Sequence, residues 1–140
     1  MTISKTATVA IMAAGLGLVA GVGLAKMSGP SEHKGLTVEA LGKIGEEMIS
    51  RQTGLDGYMM QLREITIAPG GQIAQHSHET RPGLVKVVSG EWVEGTPDGE
   101  STYAADGLDG ILEDGDTTHW FYNRGDTPAT AIVCDLNPTG

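Results

Sequence analysis

The sequence has 140 residues, a length suited to a single domain. Acidic residues outnumber basic ones, 18 against 9, for a formal net charge of −9. A field of that sign repels phosphate backbones and anionic lipid surfaces, which argues against nucleic acid as a partner and against peripheral membrane docking. The single cysteine, Cys134, rules out an intramolecular disulfide and a cysteine-rich metal site. Within the run "TAIVCDL" it reads as a small buried hydrophobe rather than a nucleophile.

Residues 7–25, "ATVAIMAAGLGLVAGVGLA", carry no charge, follow Lys5 and end on the small residues Gly23 and Ala25. That is the layout of a secretory signal peptide, expected over residues 1–25. The stretch is rich in Gly and Ala rather than Leu, Ile or Phe, so cleavage is favoured over a retained membrane anchor. The expected location is the periplasm or outside the cell, with no stable membrane insertion after cleavage. Residues 26–36 are polar with Gly and Pro and read as a linker, in which His33 is solvated and has no role. Over 37–53 the spacing of Leu41, Ile44 and Met48 predicts a short, weak helix or an irregular extension, with Thr37 as N-cap. Residues 26–57 are therefore an N-terminal extension.

From residue 58 to 140 the pattern is short strands separated by turn signals about every 8–12 residues, the pattern of an all-β sandwich or barrel. Strands are expected at 58–68, 72–78, 83–90, 91–95, 101–105, 110–114, 118–123 and 127–136. Turns fall at "APGG", "TRPG", "TPDG", "ADG" and "NRGD", where Gly, Pro, Asn and Asp suit chain reversal.

The most informative triplet is His76-Ser77-His78. Side chains at i and i+2 of a strand share a face, so both imidazoles can reach one point inside a barrel. His119 sits in a later strand, flanked by Trp120 and Tyr122. Three of the four histidines thus fall into one constellation. Neutral imidazoles suit a divalent transition metal, with Fe(II) favoured and Zn, Ni, Cu or Mn as alternatives.

The stretch Gly70-x5-His76-x-His78, followed by Gly90, resembles the first motif of the cupin superfamily. In that motif a glycine, H-x-H, a glutamate and a second glycine recur at fixed spacing. His119-x3-Asn123 resembles the end of the second motif, although Gly115 precedes His119 by four residues rather than three and the motif's proline is absent. The resemblance covers roughly residues 58–136. It implies a single-domain cupin barrel (a double-stranded β-helix, or jelly roll) with a short N-terminal extension, and commonly a homodimer. Anchored on Gly90, the family's glutamate position falls on Gly83, so the resemblance implies a metal site of three histidines only. Some thiol, diketone and aromatic-ring dioxygenases of the superfamily have such sites. Glu79 is the nearest alternative ligand, but on an extended backbone it points away from the other ligands.

Arg81 is a candidate contact for a substrate carboxylate; Trp92, Trp120, Phe121 and Tyr122 are candidate pocket residues, with Trp120 and Tyr122 as candidate substrate contacts. Lys86 is expected to face outward, and Asn123 to cap "NRGD". Two functions follow as expectations. The first is an exported metal-dependent small-molecule enzyme such as a non-haem dioxygenase. The second is a non-catalytic module that binds a small ligand or a metal in the cell envelope.

Overall fold

The computed structural model describes residues 25–140. The expected signal peptide, apart from Ala25, lies outside the described residues. In chain order the elements are β1 (Lys34–Ile44), α1 (Glu46–Thr53), β2 (Tyr58–Ser77), β3 (Gly83–Ser89), β4 (Glu91–Thr96), β5 (Gly99–Ala104), β6 (Ile111–Glu113), β7 (Thr118–Tyr122) and β8 (Ala129–Pro138). The strands form one curled antiparallel sheet in the order β5-β4-β7-β2-β8-β3-β6, with β1 also paired to β2. The all-β barrel expected from short strands at regular turn spacing is the fold.

β2 holds the two halves together. Its first part pairs with β8, from Tyr58↔Pro138 to Ile67↔Ala129, and its last residues pair with β7. The expected reversal at "APGG" is corrected: the strand bends there and continues. Gly70 takes the bend at φ +67°, a value that strains any residue with a Cβ. Pairing then resumes through Gly70 N–H to Asn123 O (3.0 Å) and Asn123 N–H to Gly71 O (3.1 Å).

The expected helix over 37–53 is also corrected. Residues 34–44 are β1, paired with β2 from Lys34↔Gln72 to Ile44↔Met60 with register shifts between Lys34 and Leu36 and between Ala40 and Gly42, and only Glu46–Thr53 is helical. Leu41, Ile44 and Met48 are all exposed, so their helical spacing did not mark a buried face. The backbone ladder offered by β2 overrides a weak helical preference already lowered by Gly42 and Gly45. The linker is not free either. Met27 N–H donates to Pro97 O (3.0 Å), Gly29 N–H to Gln75 Oε1 (2.7 Å) and Gln75 N–H to Pro30 O (2.9 Å). His33 is exposed, as expected, and its Nδ1 accepts from Ala74 N–H at 3.0 Å.

Period-two alternation places Ile65, Ile67, Val85, Val87, Trp92, Phe121, Ala131 and Val133 inside the curl. Trp92 Nε1–H donates to Ala129 O (3.1 Å), so its one polar atom is satisfied within the core. Its ring meets Phe121 at 5.1 Å between centroids. Cys134 sits on the opposite face of β8 and is half-buried rather than in the core. Asn123 does cap its turn, with Oδ1 accepting from Gly125 N–H at 2.9 Å.

Candidate metal centre

Between Ile73↔Phe121 and His76↔His119 the β2–β7 pairing shifts register by a bulge. Ile73 and His76 are three residues apart and would face opposite sides of a regular strand. The bulge changes the parity, so Ile73, His76 and His78 all line the same cavity. On β7, His119 and Phe121 share that inner face. Trp120 and Tyr122 alternate to the other side, which corrects their expected role as pocket residues. The Trp120 indole fills the space over Gly29 and Gly95, where an added Cβ would lie 2.3 and 2.1 Å from the ring. The other two candidate aromatics, Trp92 and Phe121, do line the cavity.

The three histidines meet as expected. His119 Nε2 lies 3.2 Å from His76 Nε2 and 3.1 Å from His78 Nε2. A fourth group joins them: Glu113 Oε1, 3.4 Å from His78 Nε2 and 3.5 Å from His119 Nε2. One ligand atom from each of His76, His78, Glu113 and His119 lies within 4.8 Å of all the others. The three-histidine set read from the sequence is therefore a set of four. Glu79 is exposed and outside this group: β2 ends at Ser77, and Glu79 lies in the turn closed by Arg81 N–H to His78 O.

Position 83 is glycine, and the carboxylate comes from the neighbouring strand. Gly83 on β3 pairs with Glu113 on β6. A Cβ added at Gly83 would lie 2.5 Å from Glu113 Oε2 and 3.2 Å from Asp135 Cβ. The missing side chain at 83 is the space into which Glu113 reaches.

Each imidazole is oriented by its other nitrogen. His76 Nδ1–H donates to Ala74 O (2.8 Å), His78 Nδ1–H to Arg81 O (2.9 Å) and His119 Nδ1–H to Glu94 Oε1 (2.6 Å). Carbonyl and carboxylate oxygens only accept, so each Nδ1 carries a proton and each neutral ring presents a bare lone pair at Nε2. Three lone pairs and a carboxylate oxygen therefore converge with little to hold them together. A proton on His119 satisfies part of the set, whereas a divalent cation satisfies all of it. The donor set fits a transition metal, and Glu94 supplies the carboxylate–histidine support typical of such ligands. Glu94→Gln is expected to weaken metal affinity by roughly tenfold or more while the fold is kept. Competition titration against a metal chelator measures this, and an unchanged affinity would show that Glu94 does not tune the site.

Burial depresses the pKa of His76 to about 4 and lowers that of His78. Burial also opposes a charge on His119, but hydrogen bonds and attraction from Glu113 and Glu94 outweigh it and raise that pKa. The unfolded chain thus takes up protons below pH 6.5 that folded His76 and His78 refuse. Metal-free protein should lose stability as pH falls from 6.5 towards 4. His119 acts with the opposite sign: its contribution is complete below pH 6.5 and is lost as pH rises through its raised value. A stability maximum near pH 6.5 is expected from denaturant titrations in chelator. Stability that rises as pH falls from 6.5 to 5 contradicts these assignments.

A curled antiparallel sheet enclosing three imidazoles and a carboxylate defines a cupin barrel with a metal-capable centre. The cupin domain model (Cupin_2) matches residues 63–135, and the chain belongs to that family. Comparison with curated proteins finds no match. Among solved structures, the chain is similar to the Cupin_2 domain of an XRE family transcriptional regulator from Enterobacter cloacae. That pair is 20% identical with a TM-score of 0.56, covering 75% of this chain and 99% of the other. A cupin-2 domain from Rhodospirillum rubrum is 19% identical with a TM-score of 0.57, covering 81% and 67%. An oxalate oxidase in complex with the substrate analogue glycolate is 20% identical with a TM-score of 0.52, covering 76% and 53%. At these identities the likeness concerns the fold.

Proposed function

We propose that this protein is an exported cupin that binds one divalent transition metal, Fe(II) in the favoured case, and acts on a small molecule as a dioxygenase-type enzyme. The observation that carries this reading is the convergence of His76, His78, Glu113 and His119 on one point in the wall of a cavity of about 300 Å³. That volume is at the small end for ligand pockets. An ion held there would supply Lewis acidity and open coordination positions for substrate and oxygen. The chain's own part is to fix the ligands through Ala74, Arg81 and Glu94, and to keep water away with Ile73, Trp92 and Phe121.

Oxygen uptake by Fe(II)-loaded protein, offered thiols, catechols and diketones in turn, tests the enzymatic reading. Substrate-dependent uptake that disappears in Glu113→Gln supports it. No uptake with any class, despite full metal loading, turns the reading to a non-catalytic binding module of the envelope. A regulatory protein's cupin domain shares the fold, so that second role suits the architecture equally.

Export belongs to the same proposal. N-terminal sequencing of the periplasmic or secreted fraction should find a start near Lys26, and intact chain beginning at Met1 in membranes would sink it. Dimerisation also belongs here. Leu62, Leu84 and Leu112 are exposed, and with Cys134 they form a cross-strand row on the outer face of β2, β8, β3 and β6. Sedimentation showing only monomer counts against a dimer.

A further inference from the structure

Beside the metal cluster the cavity holds a second polar group that the ligand set does not use. Asp135 on β8 is buried, and its Oδ2 accepts from Arg63 Nη2 (2.5 Å) and from Arg81 Nη1 (2.8 Å). Its Oδ1 accepts from Asn137 Nδ2 at 2.9 Å, so both carboxylate oxygens are engaged and held. The guanidiniums are not used up in this way. Each gives Asp135 one terminal nitrogen, and Arg63 Nε is buried without a protein partner. Both arginines line the same cavity as His76, His78 and Glu113.

Two cations share one anion here, leaving a net charge of +1 in a chain whose formal net charge is −9. The group is also tied to the metal cluster. Asp135 pairs with Gly83 on one side, and Gly83 pairs with Glu113 on the other. Arg81 is anchored to His78 twice through its main chain, its N–H donating to His78 O (3.1 Å) and its O accepting from His78 Nδ1–H (2.9 Å). A positively charged fork pair is thus fixed in the same cavity as three of the candidate metal ligands, His76, His78 and Glu113. A planar guanidinium with unused N–H groups matches a carboxylate in geometry and charge.

We infer that Arg63 and Arg81, braced by Asp135, form an anion clamp, and that the small molecule taken by this cavity carries a carboxylate held there while its other end faces the metal cluster. The second half of that statement rests on the metal reading above; the clamp itself does not. The cavity's size restricts the ligand to a small carboxylic acid.

The test is titration of the folded protein, loaded with Co(II) and checked for metal content by mass spectrometry. The probes are propionate, lactate, malonate, uncharged propionamide and inorganic phosphate, with the Co(II) spectrum and the melting temperature as readouts. Saturable binding of at least one carboxylate, with none of propionamide, is expected. Arg63→Lys and Arg81→Lys keep a cation beside Asp135 and so keep the fold. Each should bind that carboxylate about tenfold more weakly with metal content unchanged. Wild-type affinity in both variants, no carboxylate binding by wild type, or a preference for phosphate over every carboxylate overturns the inference. If Co(II) does not load, the metal reading fails on that measurement alone, and the same titrations on metal-free protein, followed by melting temperature, decide the clamp by the same criteria.

Discussion

Glu113→Gln is expected to lose stoichiometric metal binding, as are His76→Ala, His78→Ala and His119→Ala, whereas Glu79→Gln and His33→Ala bind like wild type. The four sensitive residues are those whose ligand atoms lie within 4.8 Å of one another. Removing one histidine leaves two nitrogens and a carboxylate. Removing the Glu113 charge leaves a neutral set that no longer offsets the ion's charge. The variants should still fold, because the inward row of Ile67, Val87, Trp92, Phe121 and Ala131 is apolar and packs mainly on itself, with Phe121 also meeting the His119 ring at 4.6 Å between centroids. Glu79 is exposed in the turn that follows β2, and His33 spends its Nδ1 on Ala74 N–H. Metal content by mass spectrometry, with circular dichroism to confirm folding, reads all six variants. Full occupancy in Glu113→Gln returns the site to three histidines, and loss in Glu79→Gln moves the carboxylate to a residue the structure places outside.

The second large effect concerns the exchange of a carboxylate between strands. Gly83→Glu alone should lose most metal binding, because the new side chain enters the space already occupied by Glu113 Oε2, 2.5 Å from the added Cβ. The double variant Gly83→Glu/Glu113→Gly empties that space and returns a carboxylate to it from β3. It should regain binding to within about tenfold of wild type, a shortfall of about 1.4 kcal/mol or less from full rescue. Chelator competition on the two single variants and the double variant measures this. A double variant no better than its weaker parent would show that the two positions are not interchangeable sources of one ligand.

How much of this was legible in the sequence follows from the range of each interaction. Strand alternation is local, so His76-x-His78 and the inward parity of the core could be read from neighbouring residues. Turn chemistry is local too, and it placed β3 to β8 within a few residues of their bounds. The bend at Gly70 was misread as a reversal because a glycine with positive φ serves either purpose, and only the partner strand β7 shows that the chain continues. Leu41, Ile44 and Met48 have helical spacing but lie on a strand and a helix end, because pairing with β2 is a long-range interaction that spacing does not encode. Glu113 was missed for the same reason. Its partner Gly83 is thirty positions away in sequence, and nothing local joins β3 to β6. One signal was present: in "ILE" at 111–113, Ile111 and Glu113 share parity, so a carboxylate stands where the strand's inward face calls for an apolar residue. Trp120 and Tyr122 were assigned to the pocket by adjacency to His119, when alternation sends them to the opposite face.

The central claim is that the cluster of His76, His78, Glu113 and His119 holds one divalent metal. Titration of chelator-stripped wild-type protein with Co(II), followed by visible absorption and by denaturant stability, tests it most directly. The account predicts a break at one equivalent and stabilisation of about 2.7 kcal/mol when free metal reaches a hundred times Kd. Absorption that rises without saturating, with no gain in stability at any metal concentration, would contradict it.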